Sequence, residues 1–362
     1  MTDVPPGARA GYGPVVGTKG PPRLVAAPDK FRGTATAAEV AAAIARSAEA
    51  AGWAVTELAM ADGGEGTLEA LGGRPRHCTV EGPLGAPVTA EWRLDGTTAV
   101  IEAARASGLE LVGGPSGNDP MAASSVGTGQ LIAAAVAAGA RRVVVGVGGS
   151  ATTDGGMGAV AALAGGSRLA GVELVVACDV DATFGHAATT FAPQKGATPA
   201  QVALLDRRLQ RLAQLYLEDY GVDVRAIPGS GAAGGLAGGL AVLGARLVPG
   251  FELVAEVASL VEHLEGAQLV ITGEGHLDGQ SFRGKVVGGV MAVAASAGTP
   301  VLVVAGAVEP TTWETRSSSA QPSTVVALVE RFGAERALAE PLACIEEVVT
   351  AFLADPHRAE RR

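Results

Sequence analysis

The chain has 362 residues, of which 48% are hydrophobic and 4% aromatic, and its formal net charge is −10. This length can hold two domains, with cores built mainly from Ala, Val and Leu. The negative charge argues against a broad nucleic-acid-binding face. Three widely spaced cysteines argue against a disulfide framework and are typical of a reduced, cytoplasmic protein.

The chain begins with a predicted disordered tail over residues 1–22, which is rich in Pro and Gly and lacks the apolar core of a secretory signal. Three uncharged stretches, 120–140, 226–245 and 286–308, are long enough to resemble membrane spans. Glycines interrupt the second and Gly298-Thr299-Pro300 interrupts the third. We therefore interpret all three as buried helices or glycine loops joined to buried strands, and predict no membrane association.

The predicted elements alternate between strands and helices at both ends of the chain, with a different texture in the middle. The early elements are a strand over 23–27, a helix over 37–51, a strand over 55–60 and a helix over 67–71. The middle begins with short strands over 77–80, 88–94 and 98–102, the last two joined by a hairpin signal at Asp95-Gly96. It continues with a helix over 127–139, a strand over 142–147, a helix over 157–164, a strand over 172–177 and a helix over 199–218.

The last part of the chain returns to buried strands, over 268–272, 301–305 and 325–328, with helices over 284–297 and 341–354. Five strands, two early and three late, predict one doubly wound parallel sheet of the α/β class. Residues 23–75 and 265–362 then form one domain, and residues 76–264 form an inserted second α/β domain. A cleft between the two domains is the expected ligand site.

Charged residues lie among glycines just after the first two strands. Asp29, Lys30 and Arg32 follow the first strand, and Asp62 and Glu65, separated by two glycines, follow the second. The first group is either a helix-capping turn or a ligand site at the carboxyl end of a strand. The second pair either holds Mg²⁺, or Glu65 complements a helix dipole.

A glycine-rich segment over 148–156 follows the strand over 142–147 and precedes an apolar helix. Its backbone N–H groups could cradle phosphates while Asp154 contacts a metal ion. The alternative is a glycine-rich turn in which Asp154 caps the helix. The segment lacks the Gly-Lys-Ser/Thr of a P-loop.

Further charged residues follow later strands. Asp179 and Asp181 are predicted to point to one face, and Lys195 is a candidate to neutralise phosphate charge. Residues 272–285 carry acids for metal binding or base chemistry and cations for a carboxylate or phosphate. These residues are Glu274, Asp278, Arg283 and Lys285.

Seven segments, in this order, carry a resemblance to a known family: APDKFRGT, MADGGEGT, VGVGGSATTDGG, ACDVD, FAPQKGAT, SGAAGGL and ITGEGHLDGQSFRGK. Together they resemble the glycerate kinase family of the bacterial glycerate 2-kinase type, from about Arg23 to the C-terminal region. The resemblance implies a flavodoxin-like domain interrupted by a second α/β domain. It also implies ATP- and Mg²⁺-dependent phosphorylation of D-glycerate to 2-phosphoglycerate. The segments over 165–171 and 182–190 are shorter than is usual in that family.

The motifs and the resemblance together assign candidate roles. The predicted catalytic residues are Asp29, Lys30, Asp278 and Lys285, with Asp29 or Asp278 as the base. The predicted substrate-binding residues are Arg32, Arg283 and Lys195. The predicted nucleotide-binding residues are Gly148, Gly149, Ser150, Thr152, Thr153 and Gly155. The predicted metal ligands are Asp154, Asp179, Asp181 and Glu274.

Two other functions stay open at this point. One is a kinase for another small hydroxy acid, and the other is a non-catalytic nucleotide- or metabolite-binding relative. Either kinase would act on a small-molecule substrate. A homodimer is compatible with the sequence.

Overall fold

The computed structural model describes residues 20–31, 33–164, 169–279, 281–282, 285–309 and 324–355. The strands are β1 (Arg23–Ala26), β2 (Ala54–Glu57), β3 (Arg74–Glu81), β4 (Pro87–Asp95), β5 (Thr98–Glu102), β6 (Arg142–Gly146), β7 (Glu173–Ala177), β8 (Arg246–Val248), β9 (Leu269–Leu277), β10 (Val301–Val308) and β11 (Thr324–Ala327). The helices are α1 (Ala37–Ala50), α2 (Thr67–Leu71), α3 (Ala104–Ser107), α4 (Val126–Ala137), α5 (Met157–Leu163), α6 (Ala187–Phe191), α7 (Pro199–Tyr220), α8 (Leu236–Val242), α9 (Gly250–Val257), α10 (Leu260–Leu264), α11 (Val286–Ala297), α12 (Leu328–Phe332), α13 (Ala334–Ala339) and α14 (Pro341–Ala354). Within these ranges no helix is both long and apolar enough to cross a bilayer.

The first sheet has the spatial order β2-β1-β9-β10-β11, and all of its neighbouring strands are parallel. Counted along the chain, this is the order 2-1-3-4-5 of flavodoxin-like sheets. It confirms the predicted doubly wound sheet of two early and three late strands. The strand order reverses between β1 and β9, so a crevice is expected where the carboxyl ends of these two strands meet.

Helices cover both faces of this sheet because successive side chains of a strand point in opposite directions. Leu24 and Ala26 pack in one core with Ile44 of α1 and Ile345 of α14. Val25 packs in the opposite core, which includes residues of α9, α10 and α11. Burial on both faces explains why the strands appear in the sequence as continuous apolar runs.

The second sheet has the order β3-β4-β5-β6-β7-β8. The pairs β3–β4 and β4–β5 are antiparallel, and the remaining pairs are parallel. The Asp95-Gly96 hairpin is confirmed, since β4 and β5 pair directly across it. The strand β8 has only three residues and was not predicted from the sequence.

The chain leaves the second sheet after β8 and returns to the first core at once. Phe251 and Val254 of α9 and Leu260 of α10 pack in the same core as Val25 and Val270. This packing favours a return near residue 249 rather than at the predicted residue 265. The limits of the two folding units themselves remain a prediction.

Candidate active site

The candidate site lies at the carboxyl ends of β1 and β9, where the strand order of the first sheet reverses. The backbone N–H of Asp29 donates to the carbonyl of Gly273 at 2.8 Å, which fixes Asp29 beside Glu274 along the two strands. Asp62 follows β2, the next strand of the sheet, and Asp179 follows β7 of the second sheet. Residues from both sheets therefore meet at this edge.

Four of these acids, Asp29, Asp62, Asp179 and Glu274, form what we call the carboxylate cluster. Their charges influence one another: Asp62 raises the pKa values of Asp29 and Asp179, and Asp29 raises that of Glu274. Lys285 opposes the rise at both Asp179 and Glu274. The cluster thus combines residues from four separate parts of the chain, and Lys285 acts on two of them.

Asp29 is the most buried acid of the cluster, with 8% of its surface exposed. Burial raises the pKa of Asp29 to about 6, although Lys30 acts in the opposite direction. The Lys30 ammonium lies 3.6 Å from Oδ1 of Asp29, and the Lys30 N–H donates to the same oxygen at 2.7 Å. Burial lowers the pKa of Lys30, but Asp29, Asp62 and Glu65 outweigh it and raise that pKa above its usual value. The site therefore holds a carboxyl that titrates near neutrality beside a lysine that stays charged.

Asp179 and Glu274 are half-buried carboxyls whose pKa values are also raised. Burial raises the pKa of Asp179 to about 7, against hydrogen bonds from the N–H groups of Gly250 and Phe251. Burial likewise raises the pKa of Glu274 to about 7. Among the described residues, Oδ2 of Asp179 and Oε1 of Glu274 are buried and have no hydrogen-bond partner. Such oxygens are costly to bury unless a proton, a ligand or a cation occupies them.

Glycines bring the loop after β2 against the second sheet. A Cβ added at Gly63 would lie 2.9 Å from the carbonyl oxygen of Ala177, at the end of β7. A Cβ added at Gly148, just past β6, would lie 2.6 Å from the Cα of Gly64. The predicted phosphate loop and the acidic loop after β2 are therefore in backbone contact, which larger residues would prevent.

We expect Gly148→Ala to separate these two loops and to lower both stability and activity. The added methyl has no flexible side chain to displace, so we expect a loss of about 1–3 kcal/mol in unfolding free energy, as for other overpacked sites. Urea denaturation checks this value. Gly185→Ala is the matched control, since a Cβ there meets nothing within 4 Å. Equal stability of the two variants would contradict the contact.

Asp154 has a different environment from the carboxylate cluster. Its carboxylate accepts hydrogen bonds from the N–H and Oγ of Ser125 and from the N–H groups of Gly156 and Gly158. The N–H of Ala159 donates to Ser125 Oγ. These bonds already satisfy the N–H groups at the start of α5, so the geometry favours the capping alternative for Asp154 over a metal or phosphate role.

Lys195 lies beneath the same loop, with 3% of its surface exposed. Its ammonium donates to Ser150 Oγ at 2.9 Å and to the carbonyl of Thr152 at 2.6 Å. Burial lowers the pKa of Lys195 to about 7, although Asp154 opposes the change. These contacts favour a role in holding the loop over direct substrate binding.

The other predicted site residues differ in whether they reach the candidate site. Asp181 is exposed, because β7 ends at Ala177 and strand alternation does not continue to residue 181. Asp278 accepts hydrogen bonds from the N–H and Oγ of Ser281, as in a turn, and influences Glu274. Arg32 and Arg283 lie outside the described residues. The four predicted metal ligands are thus not brought together, and no group of three or more His, Cys, Asp or Glu side chains in the described ranges is arranged to hold a metal ion.

A cavity of about 410 Å³ opens beside Asp29 and Lys30. Sequence reasoning did not single out one of its cationic residues, Arg105, or the partner of that residue, Glu102. The available signal was a Glu and an Arg three positions apart, the Glu at the end of the strand that became β5 and the Arg just beyond it. The other lining residues are Gly33, Thr34, Ala35, Thr36, Ala37, Glu39, Met60, Glu65, Gly66 and Glu69.

A profile described as "Glycerate kinase family" matches this chain over residues 24–167 and 164–354. The chain belongs to the glycerate kinase family. The glycerate 2-kinase of Escherichia coli K12 is 41% identical over 324 residues, spanning 78% of this chain and 85% of that protein. The glycerate kinase of Bacillus subtilis 168 is 39% identical over 326 residues, spanning 79% of this chain and 85% of that protein.

A crystal structure assigned to glycerate kinase 2 of Salmonella typhimurium LT2 superposes with a TM-score of 0.79 at 35% identity. The superposition covers 94% of this glycerate kinase family member and all of that chain. It supports the two-domain α/β fold. The two pieces of the family match meet at residues 164–167, within the segment that the sequence marks as short.

Proposed function

We propose that this chain transfers a phosphoryl group from ATP to D-glycerate and forms 2-phosphoglycerate. The proposal rests on one observation above all: Asp29, a buried carboxyl with a pKa of about 6, lines a cavity at the switch point of the sheet. A base with a pKa near the working pH is suited to accept a proton from an alcohol. The similarity to proteins named glycerate 2-kinase and glycerate kinase suggests which alcohol it is.

In the proposed mechanism Asp29 accepts the proton of the acceptor hydroxyl as the oxygen attacks the γ-phosphorus of ATP. The bond from that phosphorus to the β,γ-bridging oxygen breaks, and ADP leaves with the electron pair. Lys30 stays charged beside Asp29 and would offset negative charge on the reacting phosphoryl oxygens. Such positioning and charge neutralisation are most of what phosphoryl transfer requires of a protein.

The nucleotide is proposed to lie along the contact between the two sheets, at Gly148 and Gly149. Gly148 meets the acidic loop after β2, and Gly149 is the next residue of the same loop. The deeper residues Ser150 and Thr152 contact Lys195, and we assign them to holding the loop rather than to direct nucleotide binding. Lys285, which acts electrostatically on both Asp179 and Glu274, is the cation proposed to meet the transferring phosphate.

Two carboxylates with buried oxygens that lack a partner in the described part of the chain support a magnesium site. Mg²⁺ commonly takes one or two protein carboxylates and completes its shell with phosphate oxygens and water, so a three-carboxylate cage is not required. Asp179 and Glu274 each have a buried oxygen without a partner among the described residues. These two acids would hold the ion, which would neutralise phosphate charge when bound.

An enzyme-coupled assay tests the function and the position of the new phosphate. Purified protein is given ATP, Mg²⁺ and D-glycerate, and ADP release is followed with and without the acceptor. Enolase is then added alone, because it consumes 2-phosphoglycerate but not 3-phosphoglycerate. We expect acceptor-dependent ADP release and formation of phosphoenolpyruvate. ADP release with no enolase product would assign phosphorylation to the other hydroxyl.

A kinase for another small hydroxy acid is the second candidate, because the family match falls into two pieces that overlap at residues 164–167, beside the segment that is short for the family. A panel of hydroxy acids in the same assay separates the two functions. A higher kcat/KM for another acid than for D-glycerate would favour the second. Absence of turnover with every acceptor would favour a non-catalytic binding protein. The cytoplasmic location and the homodimer remain predictions.

A further inference from the structure

The cavity beside Asp29 carries an excess of acidic groups. Besides Asp29 it is lined by Glu39, Glu65 and Glu69. A small acid that enters such a cavity is repelled unless a cation meets its carboxylate. One candidate cation, Lys30, already lies 3.6 Å from Asp29.

Arg105 is the other described cation that lines this cavity. It lies on α3, directly after β5, and its Nε donates to Oε2 of Glu102 at 3.1 Å. The Arg105 side chain is 44% exposed, whereas the Glu102 side chain is 3% exposed. Among the described residues no hydrogen bond involves the two terminal nitrogens of Arg105. The guanidinium is therefore anchored at one nitrogen, and its terminal N–H groups remain available to a ligand.

Glu102 also holds the loop after β2, which lines the same cavity. Its second oxygen, Oε1, accepts hydrogen bonds from the N–H groups of Gly66 at 2.9 Å and Leu68 at 3.1 Å. Gly66 lines the cavity itself and directly follows Glu65. One buried carboxylate thus sets the position of Arg105 relative to the loop that carries the acids. Because Glu102 is buried, removing the hydrogen-bond donors of either of its oxygens would leave an unpaired buried charge and would destabilise the fold.

We infer that Arg105 recognises the carboxylate of the acceptor and that Glu102 is the residue that positions Arg105. The planar guanidinium suits this task, because its N–H groups can pair with both oxygens of a carboxylate. Binding the acid group at Arg105 would direct the hydroxyl-bearing end of a small hydroxy acid toward Asp29 in the same cavity. The inference rests on the proposed function, since it names the residue that selects an acid over a neutral alcohol.

Steady-state kinetics of Arg105→Met with D-glycerate and ATP test the inference. We expect the KM for D-glycerate to rise about 10- to 100-fold, the range for loss of a charge-assisted hydrogen-bonded pair, with the KM for ATP unchanged within twofold. Arg105→Lys keeps the charge but loses the planar fork, so a smaller rise is expected. Arg246→Met is the matched control, because Arg246 contacts Glu173 in the same sheet but lies at the amino end of β8. Its kinetic constants should equal those of the wild type.

Glu102→Gln tests the positioning role separately. The amide keeps the size of the side chain but weakens its hold on the guanidinium. We therefore expect a smaller rise in the KM for D-glycerate than in Arg105→Met, at nearly unchanged kcat.

Calorimetric titration of D-glycerate into each protein, without nucleotide, gives a readout that does not depend on turnover. An unchanged glycerate affinity in Arg105→Met would overturn the inference, and a larger effect on ATP would reassign Arg105 to a phosphate. If the wild type neither binds nor phosphorylates D-glycerate, the proposed function and this inference both fail. If the wild type turns over D-glycerate normally and Arg105→Met has the same KM for D-glycerate, only this inference fails.

Discussion

Asp29→Asn is expected to lower kcat by about 10²- to 10⁴-fold, the usual contribution of a general base. The amide keeps the shape of the side chain but cannot accept the proton of the acceptor hydroxyl. The wild-type kcat/KM should rise with pH through an apparent pKa near 6, because the Asp29 carboxyl must be ionised to act. The residual activity of the variant should lack this rise. Initial rates between pH 5 and 9 measure both effects.

Asp278→Asn is the matched control for Asp29. Asp278 was the other predicted base, but its carboxylate accepts hydrogen bonds from Ser281, and it is not among the residues that line the cavity. We expect this variant to lose less than about tenfold in kcat, the smaller effect of a residue that shapes a turn. A large loss in Asp278→Asn with near-normal turnover in Asp29→Asn would exchange the two roles. Near-normal turnover in both variants would show that neither Asp29 nor Asp278 acts as the general base.

The carboxylate cluster is expected to make the metal-free protein less stable at pH 8 than at pH 5. Asp29, Asp179 and Glu274 have pKa values of about 6, 7 and 7 in the fold, above those of unfolded acids. Between pH 4 and pH 7 the folded chain therefore binds more protons than the unfolded chain, so stability falls as pH rises through this window. The combined loss between pH 5 and pH 8 should amount to several kcal/mol, since three groups contribute and one pKa unit corresponds to about 1.4 kcal/mol.

Urea denaturation in EDTA at pH 5 and pH 8 measures this loss. Glu274→Gln should reduce it, whereas the exposed Glu57→Gln on β2 should leave it unchanged. At pH 8, Mg²⁺ at about 100 times its dissociation constant should stabilise the wild type by roughly 2.7 kcal/mol. The double variant Asp179→Asn/Glu274→Gln should lose most of this gain. Identical Mg²⁺ stabilisation of the wild type and the double variant would place the ion elsewhere.

The sequence predicted the first sheet well, because its strands are buried on both faces and flanked by clear helix signals. Thr36 caps α1 and exchanges hydrogen bonds with Glu39. The position of Asp29 could also be predicted, since residues just past parallel strands gather at one edge of a sheet. Local pattern was sufficient for these features. Glu274 lies within β9, which continues beyond the predicted strand to Leu277.

Features that depend on distant partners could not be predicted in the same way. Asp154 could have been a metal ligand or a cap, and the choice is set by Ser125, which lies 29 positions earlier. The burial of Lys195 depends on Ser150, 45 positions earlier. Glu102 contacts Gly66 across 36 positions and between two sheets. Residue types at short spacing carry no information on such pairs, and the same holds for the place of Arg105 in the cavity.

A crystal structure with D-glycerate, Mg²⁺ and a non-hydrolysable ATP analogue tests the central claim most directly. We expect the glycerate hydroxyl within hydrogen-bond distance of Asp29 and the analogue's γ-phosphate on the side of Asp179 and Glu274. Glycerate and the analogue bound together at another place, with the cavity beside Asp29 empty, would contradict the account.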